Sequence, residues 1–226
     1  MKLFKKTSNI LSTVFLCLVF IGLIVLYADS KMKEGKNSYN DVEAYEQTYE
    51  LPTFSYIVAT EGSNFTIKQA DENKIMIWTY ENELHNVEKM YNVQNDTLYV
   101  LPYKEHMNFS CKKVYPVYAN KKSKVSLRDV KEPVLYLTGN NCEFEVGNSN
   151  FEELNLELTS GNFYSYKTGA RTLNIHADKS KLTCNDLKVK SLNAEISNHS
   201  DINIYSSNLL NINIKCDSIS NYYINK

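Results

Sequence analysis

The residues best placed to do chemistry in this chain are one histidine and two glutamates that recur at a single spacing. Glu157, His176 and Glu195 stand 19 residues apart. An imidazole between two carboxylates suits zinc or copper. It equally suits an exposed ion ladder in which the carboxylates favour the protonated ring. Nothing nearby in the sequence is placed to orient the imidazole, which a metal centre needs. The three residues are therefore a candidate surface column, and no metal, cofactor or catalytic residue is assigned. Glu143 and Glu145 resemble a catalytic pair, but they alternate with Cys142 and Phe144 as the solvated face of a strand does. Acid–base work on a polysaccharide calls for clustered carboxylates with basic partners and a walled cleft. Arg128 and Arg171 are the only arginines, and no insertion is long enough to build a wall.

The spacing that defines this column must come from the elements that carry it. LNLEL begins at Leu154, LNIHA at Leu173, LNAEI at Leu192 and LNINI at Leu210, and VLYLTG places Leu135 one step earlier. Two residues on stand Leu137, Leu156, Ile175, Ala194 and Ile212; four on stand Gly139, Leu158, Ala177, Ile196 and Ile214. A further column holds Phe144, Phe163, Leu182, Ile202 and Ile219, and another Phe151, Ala170, Val189 and Leu209. Apolar patches that keep their place in successive copies are the signature of coils contributing rungs to one shared core. The fold class expected is all-β, a parallel β-helix or solenoid with coils of about 19 residues, each residue ~4.8 Å above its counterpart. Asn155, Asn174, Asn193 and Asn211 fall on the outward parity and form an Asn column. Thr138 and Asn213 extend the Glu157–His176–Glu195 column at its two ends. Small polar stretches such as TSGN, ADKS, SNHS and KCDS fall at the corners.

The rest of the chain divides around this core. Residues 1–9 form a short basic tail, and residues 10–28 (ILSTVFLCLVFIGLIVLYA) are apolar enough to span a bilayer, as an uncleaved anchor or as a signal peptide. Residues 29–50 read as a polar tether, and residues 51–226 as the solenoid, less regular over 51–113 and regular over 114–226. Only ENELHNVEKM, 81–90, could hold a helical turn or two. With the tail inside, residues 29–226 lie outside the membrane. Twenty-five basic against 26 acidic side chains give no field for nucleic acid. Cys111, Cys142, Cys184 and Cys216 show no zinc spacing, and either a disulfide or buried thiols would account for them.

FSYIVATEGSNFTIKQADENKIMIW, the strand NDTLYV and coil corners such as LTSGN resemble the head GIN domain of auto-transporter adhesins, a family of exported Bacteroidetes-type proteins. The resemblance covers about 51–226 and implies a right-handed parallel β-helix in the cell envelope, with no catalytic residues. The function expected is a non-enzymatic, membrane-anchored, extracytoplasmic solenoid for adhesion, binding or envelope scaffolding, with an envelope, glycan or host-surface partner. A β-helix polysaccharide lyase or hydrolase is the alternative.

Overall fold

The structure, a computed structural model, describes residues 45–79, 87–206 and 208–225. The expected tail, the span 10–28, most of the tether and the front of the helical turn at 81–90 lie outside the described residues. Val87–Lys89, within that last stretch, form a single 3-10 turn. Among the described residues no helix is long and apolar enough to cross a membrane. The fold is all-β, a solenoid of about six turns.

Each regular coil gives one strand to each of two parallel sheets, here called sheet I and sheet II. In sheet II, β10 (Lys131–Asn140), β12 (Asn150–Thr159), β14 (Gly169–Asp178) and the second half of β15 (Lys181–Ser197) stack in register. Leu135, Leu154, Leu173 and Leu192 make one rung and Leu137, Leu156, Ile175 and Ala194 the next, as the 19-residue period predicts. Sheet I runs through β11 (Glu143–Gly147), β13 (Asn162–Tyr166), the first half of β15 and β16 (Asp201–Ser206), stacking Phe144, Phe163, Leu182 and Ile202. All of these are buried, so the two inward faces close on one apolar core.

The corners are as periodic as the rungs. Asn141, Ser160, Lys179 and Asn198 turn the chain from sheet II into sheet I with φ between 50° and 55°, and Asn148, Lys167 and Asp186 turn it back with φ near 50°. That conformation costs a side chain about 1–2 kcal/mol outside glycine. It persists because the N–H groups of Asn141, Asn148, Ser160, Lys167 and Lys179 each reach a carbonyl of the next coil, as Ser160 N does to Asp178 O, while Asn198 N donates to the Asp217 carboxylate. Serine hydroxyls satisfy the neighbouring amides: Gly161 N donates to Ser180 Oγ, Ser180 N to Ser200 Oγ, and Ser200 N to Ser220 Oγ. Lys179→Gly removes the left-handed strain while keeping the amide. It is expected to add roughly 0.5–1 kcal/mol, net of glycine's chain entropy, read as a rise in Tm.

The front of the domain departs from sequential stacking. β2 (Tyr56–Ala59) lies between β6 (Thr97–Val100) and β8 (Val117–Asn120), and β3 (Asn64–Gln69) lies between β7 (Met107–Cys111) and β9 (Lys124–Arg128). The first coil is thus sandwiched between the second and the third. The segment joining the second coil to the third must climb past the first, and a buried carboxylate fixes it. Glu132 Oε1 accepts from Val114 N at 2.9 Å and from Gln69 Nε2 at 3.1 Å, and Gln69 Oε1 takes the Lys131 N–H. Beyond the second coil, β4 (Lys74–Thr79) and β5 (Tyr91–Gln94) add antiparallel strands, and β1 (Tyr45–Glu50) pairs with β4. Residues 45–50, expected in the tether, are therefore part of the folded domain.

The last coil corrects the sequence reading. Leu192 stacks on Ile212, Ala194 on Ile214 and Ile196 on Cys216, in β17 (Asn211–Cys216), so the step is 20 residues and not 18. Leu210, expected in the rung, is 74% exposed. In sheet I, Ile202 stacks on Tyr222 of β18 (Asn221–Asn225), and Ile219, expected in that column, lies outside the strand. The extra residue enters twice: positive φ at both Asn198 and His199 lengthens the step to 20 at Ile202, the step returns to 19 where Leu187 meets Ser206, and a second extra residue between Ser206 and Asn211 sets Asn211 opposite Ser191.

Candidate binding face

Along the outer surface of sheet II, in-register stacking turns two sequence columns into two ladders. The first is an amide ladder. Asn174 Nδ2 donates to Asn155 Oδ1 and Asn193 Nδ2 donates to Asn174 Oδ1, both at 2.9 Å, and Asn174 Nδ2 also reaches Glu153 Oε1 at 2.9 Å. The next member is Asn213, opposite Asn193; Asn211, expected there, instead faces Ser191. Tyr136 precedes Asn155 in the column and stands half exposed. Asn155 Nδ2 is buried without a partner among the described residues.

The second ladder carries the charges. Glu157, His176 and Glu195 lie opposite one another on successive coils, as expected, but the next residue is Lys215 and not Asn213. Lys215 Nζ lies 2.8 Å from Glu195 Oε1, and His176 Nδ1 lies 3.6 Å from Glu195 Oε2. The hydrogen bond and charge of Lys215 hold the Glu195 carboxyl below its usual range, with a smaller contribution from His176. Glu195 in turn raises the Lys215 ammonium. Missing the 20-residue step hid this lysine from the sequence reading. An ammonium thus sits on one carboxylate oxygen of Glu195 and an imidazole near the other. Among the described residues no cluster of three or more His, Cys, Asp or Glu is placed to hold a metal ion.

Between the ladders runs an open groove of about 420 Å³, with Tyr136 and Thr138 at one end and Asn213 and Lys215 at the other. From Asn155 onward its walls repeat coil by coil: an amide on one side, and Glu157, His176, Glu195 and Lys215 in turn on the other. Such a surface offers hydrogen bonds in series to an extended ligand.

The other chemistry-bearing residues are engaged in pairs. Glu143 and Glu145, on sheet I, meet Lys124 at 2.6 Å and Arg128 at 3.1 Å. The Arg128 guanidinium also lies 5.9 Å from the centre of the Tyr166 ring, which rests over Gly147 where any Cβ would meet it. Nearby, His106 Nε2 is 2.9 Å from Thr66 Oγ1. Burial, then the charges of Arg128 and Lys124, lower His106 from its ordinary 6.5. A histidine held neutral in the fold ionises first in the unfolded chain, so stability is expected to fall as pH drops below about 6.5. Thermal melts of the wild type and His106→Gln between pH 7.5 and 5 should show part of that loss removed by the substitution. Cys111, Cys142, Cys184 and Cys216 are all free. Burial pushes Cys111 and Cys142 up to about 12 and Cys184 to about 11, so these three are unreactive core residues.

These features define the class: a β-solenoid carrying a ladder-lined external groove, in which Glu195 is ion-paired with Lys215. The chain belongs to the family described as "Putative auto-transporter adhesin, head GIN domain", whose model matches residues 53–224. Among solved structures it is similar to a putative adhesin from Bacteroides fragilis, at 11% identity and a TM-score of 0.57 over 81% of this chain and 97% of that one. It is also similar to a putative adhesin from Parabacteroides distasonis, at 15% identity and a TM-score of 0.43 over 82% and 94% of the two chains. At 11% identity the likeness to the Bacteroides fragilis structure concerns the fold alone. No functionally curated protein matches the chain by sequence.

Proposed function

We propose that this protein is a non-enzymatic binding module of the cell envelope, anchored by residues 10–28 and presenting the sheet II groove to an extended envelope or host-surface glycan. The observation that carries the reading is the pair of ladders. Amides and hydroxyl-accepting carboxylates at coil-by-coil spacing match a repeating polyhydroxylated chain, and Tyr136 supplies an aromatic face at one end. Against an enzyme stands the state of the carboxylates. Glu195, Glu143 and Glu145 each hold a cation, whereas a general acid or base must be free to exchange its proton with substrate. Family membership supports export, and the apolar run at 10–28 supports retention at the membrane.

A glycan array probed with the full-length chain in mild detergent tests the binding. Saturable retention on neutral glycans, abolished by Asn174→Ala with Asn193→Ala at unchanged Tm, is the expected result. Cleavage or elimination products from any polysaccharide would replace the proposal with the lyase or hydrolase alternative. Fractionation tests the anchor: the full chain should pellet with membranes and keep its first residues, and a mature N-terminus at Asp29 would mark a cleaved signal instead.

A further inference from the structure

At the corner where the chain returns from sheet I to sheet II, a second and larger concavity of about 1040 Å³ opens at the start of the sheet II strands, sharing no lining residue with the ladder groove. Its lining brings together Lys167, Arg171, Lys188 and Lys190 against two carboxylates, Glu152 and Asp186, in a chain whose net charge is −1. None of the four cations makes an ion pair with a carboxylate among the described residues, whereas Lys68, Lys124, Arg128 and Lys215 each do. The stacking makes this arrangement unfavourable on its own. Ala170 lies opposite Val189 and Thr172 opposite Ser191, which sets Arg171 and Lys190 on adjacent coils, ~4.8 Å apart along the axis. Like charges facing each other across strands destabilise a sheet. Among the described residues Glu152 stands opposite Arg171 on its other side without forming an ion pair, one carboxylate against the cations of this corner, and an anion would relieve the remaining repulsion.

The floor is shaped for close approach. Gly169, opposite Lys188, has no side chain, and Asn150 Oδ1 lies where a Cβ would stand, so an amide lies across the groove beneath the cations. Phe151 and Ala170 are buried under it. Three properties of the lining select the ligand class. No exposed aromatic side chain is present on which single-stranded bases could stack. The surface is recessed, while a bilayer surface is flat. The cations are interleaved with the neutral amides of Asn148 and Asn150, which suit hydroxyl groups.

We propose that this cationic corner is a second binding site, for an acidic polysaccharide laid along the solenoid axis, its carboxylate or sulfate groups on Arg171, Lys188 and Lys190 and its hydroxyls on the Asn amides. The site is separate from the sheet II groove and does not depend on it.

The test uses the full-length chain in nonionic detergent and four probes: polygalacturonate, dextran sulfate, uncharged dextran, and phosphatidylserine vesicles. Binding to either acidic polymer is expected, absent for dextran, and weakening steeply with added salt as counterions are released. The triple substitution Arg171→Gln, Lys188→Gln, Lys190→Gln should lower affinity by roughly tenfold or more and flatten the salt dependence. Lys124→Gln, on sheet I, should leave both unchanged, and equal melting temperatures would show that the variants are folded. The proposal is overturned if neither acidic polymer binds, if the triple variant binds them as the wild type does, or if only the vesicles bind in a manner that requires the three cations.

Discussion

Leu173→Asp is expected to unfold the solenoid at its centre, whereas Asn174→Asp, one residue away, should leave it folded. Leu173 is fully buried between Leu154 and Leu192. Its replacement forfeits about 1.5–3 kcal/mol of apolar burial and places an unpaired carboxylate in the core for several kcal/mol more. The sum is comparable to the whole stability of a typical domain, about 5–15 kcal/mol. Because each coil rests on its neighbours, losing the rung also removes the template for the coils on either side. At Asn174 the side chain points outward. Asp there loses the donation to Glu153 and Asn155 and adds a like charge beside Glu153, an exposed penalty of about 1–2 kcal/mol. Circular dichroism and thermal melts separate the two. Equal effects would remove the inward–outward register on which both ladders depend.

The second large effect concerns Glu132, which stands opposite Phe151 in an otherwise apolar column continued by Ala170 and Val189. Column logic alone would make Glu132→Val stabilising. The structure predicts the opposite: Val114 N is left unsatisfied, at about 1–3 kcal/mol, and Gln69 Nε2 keeps only the long bond to Lys112 O at 3.4 Å, so the loss is roughly 2–4 kcal/mol in all. Glu132→Gln keeps the acceptor oxygen and should recover most of the loss. A Glu132→Val protein as stable as the wild type would show that the crossing segment at 112–116 is held by packing alone. Urea unfolding of the three proteins makes the comparison.

What could be read from the sequence follows from what is periodic. Leu135, Leu154, Leu173 and Leu192, with the Phe144–Phe163–Leu182–Ile202 column, were legible because every coil repeats the same apolar demand at the same step. The Glu157–His176–Glu195 column was legible for the same reason. Its fourth member was not: the Leu-Asn pair at Leu210 recurs two residues ahead of the true rung, and the extra residue between Ser206 and Asn211 that displaces it leaves no mark on the apolar pattern. The sandwiching of the first coil between the second and third was hidden because parallel strands of any order satisfy the same alternation. Glu132 gave no signal, since its partners Gln69 and Val114 are brought to it only by that non-sequential stacking. The cationic corner escaped notice because whole-chain charge balance averages over faces that the fold keeps apart.

The register that builds the binding face is tested most directly by an NMR titration of the Glu195 carboxyl in the wild type, Lys215→Met and Asn213→Ala. In the wild type Glu195 should titrate below the ordinary 4.5, because Lys215 holds it charged. Lys215→Met should return it toward that value, and Asn213→Ala should leave it where it is. A Glu195 that ignores Lys215 and responds to Asn213 would put the last coil in the 18-residue register and dissolve both ladders as drawn.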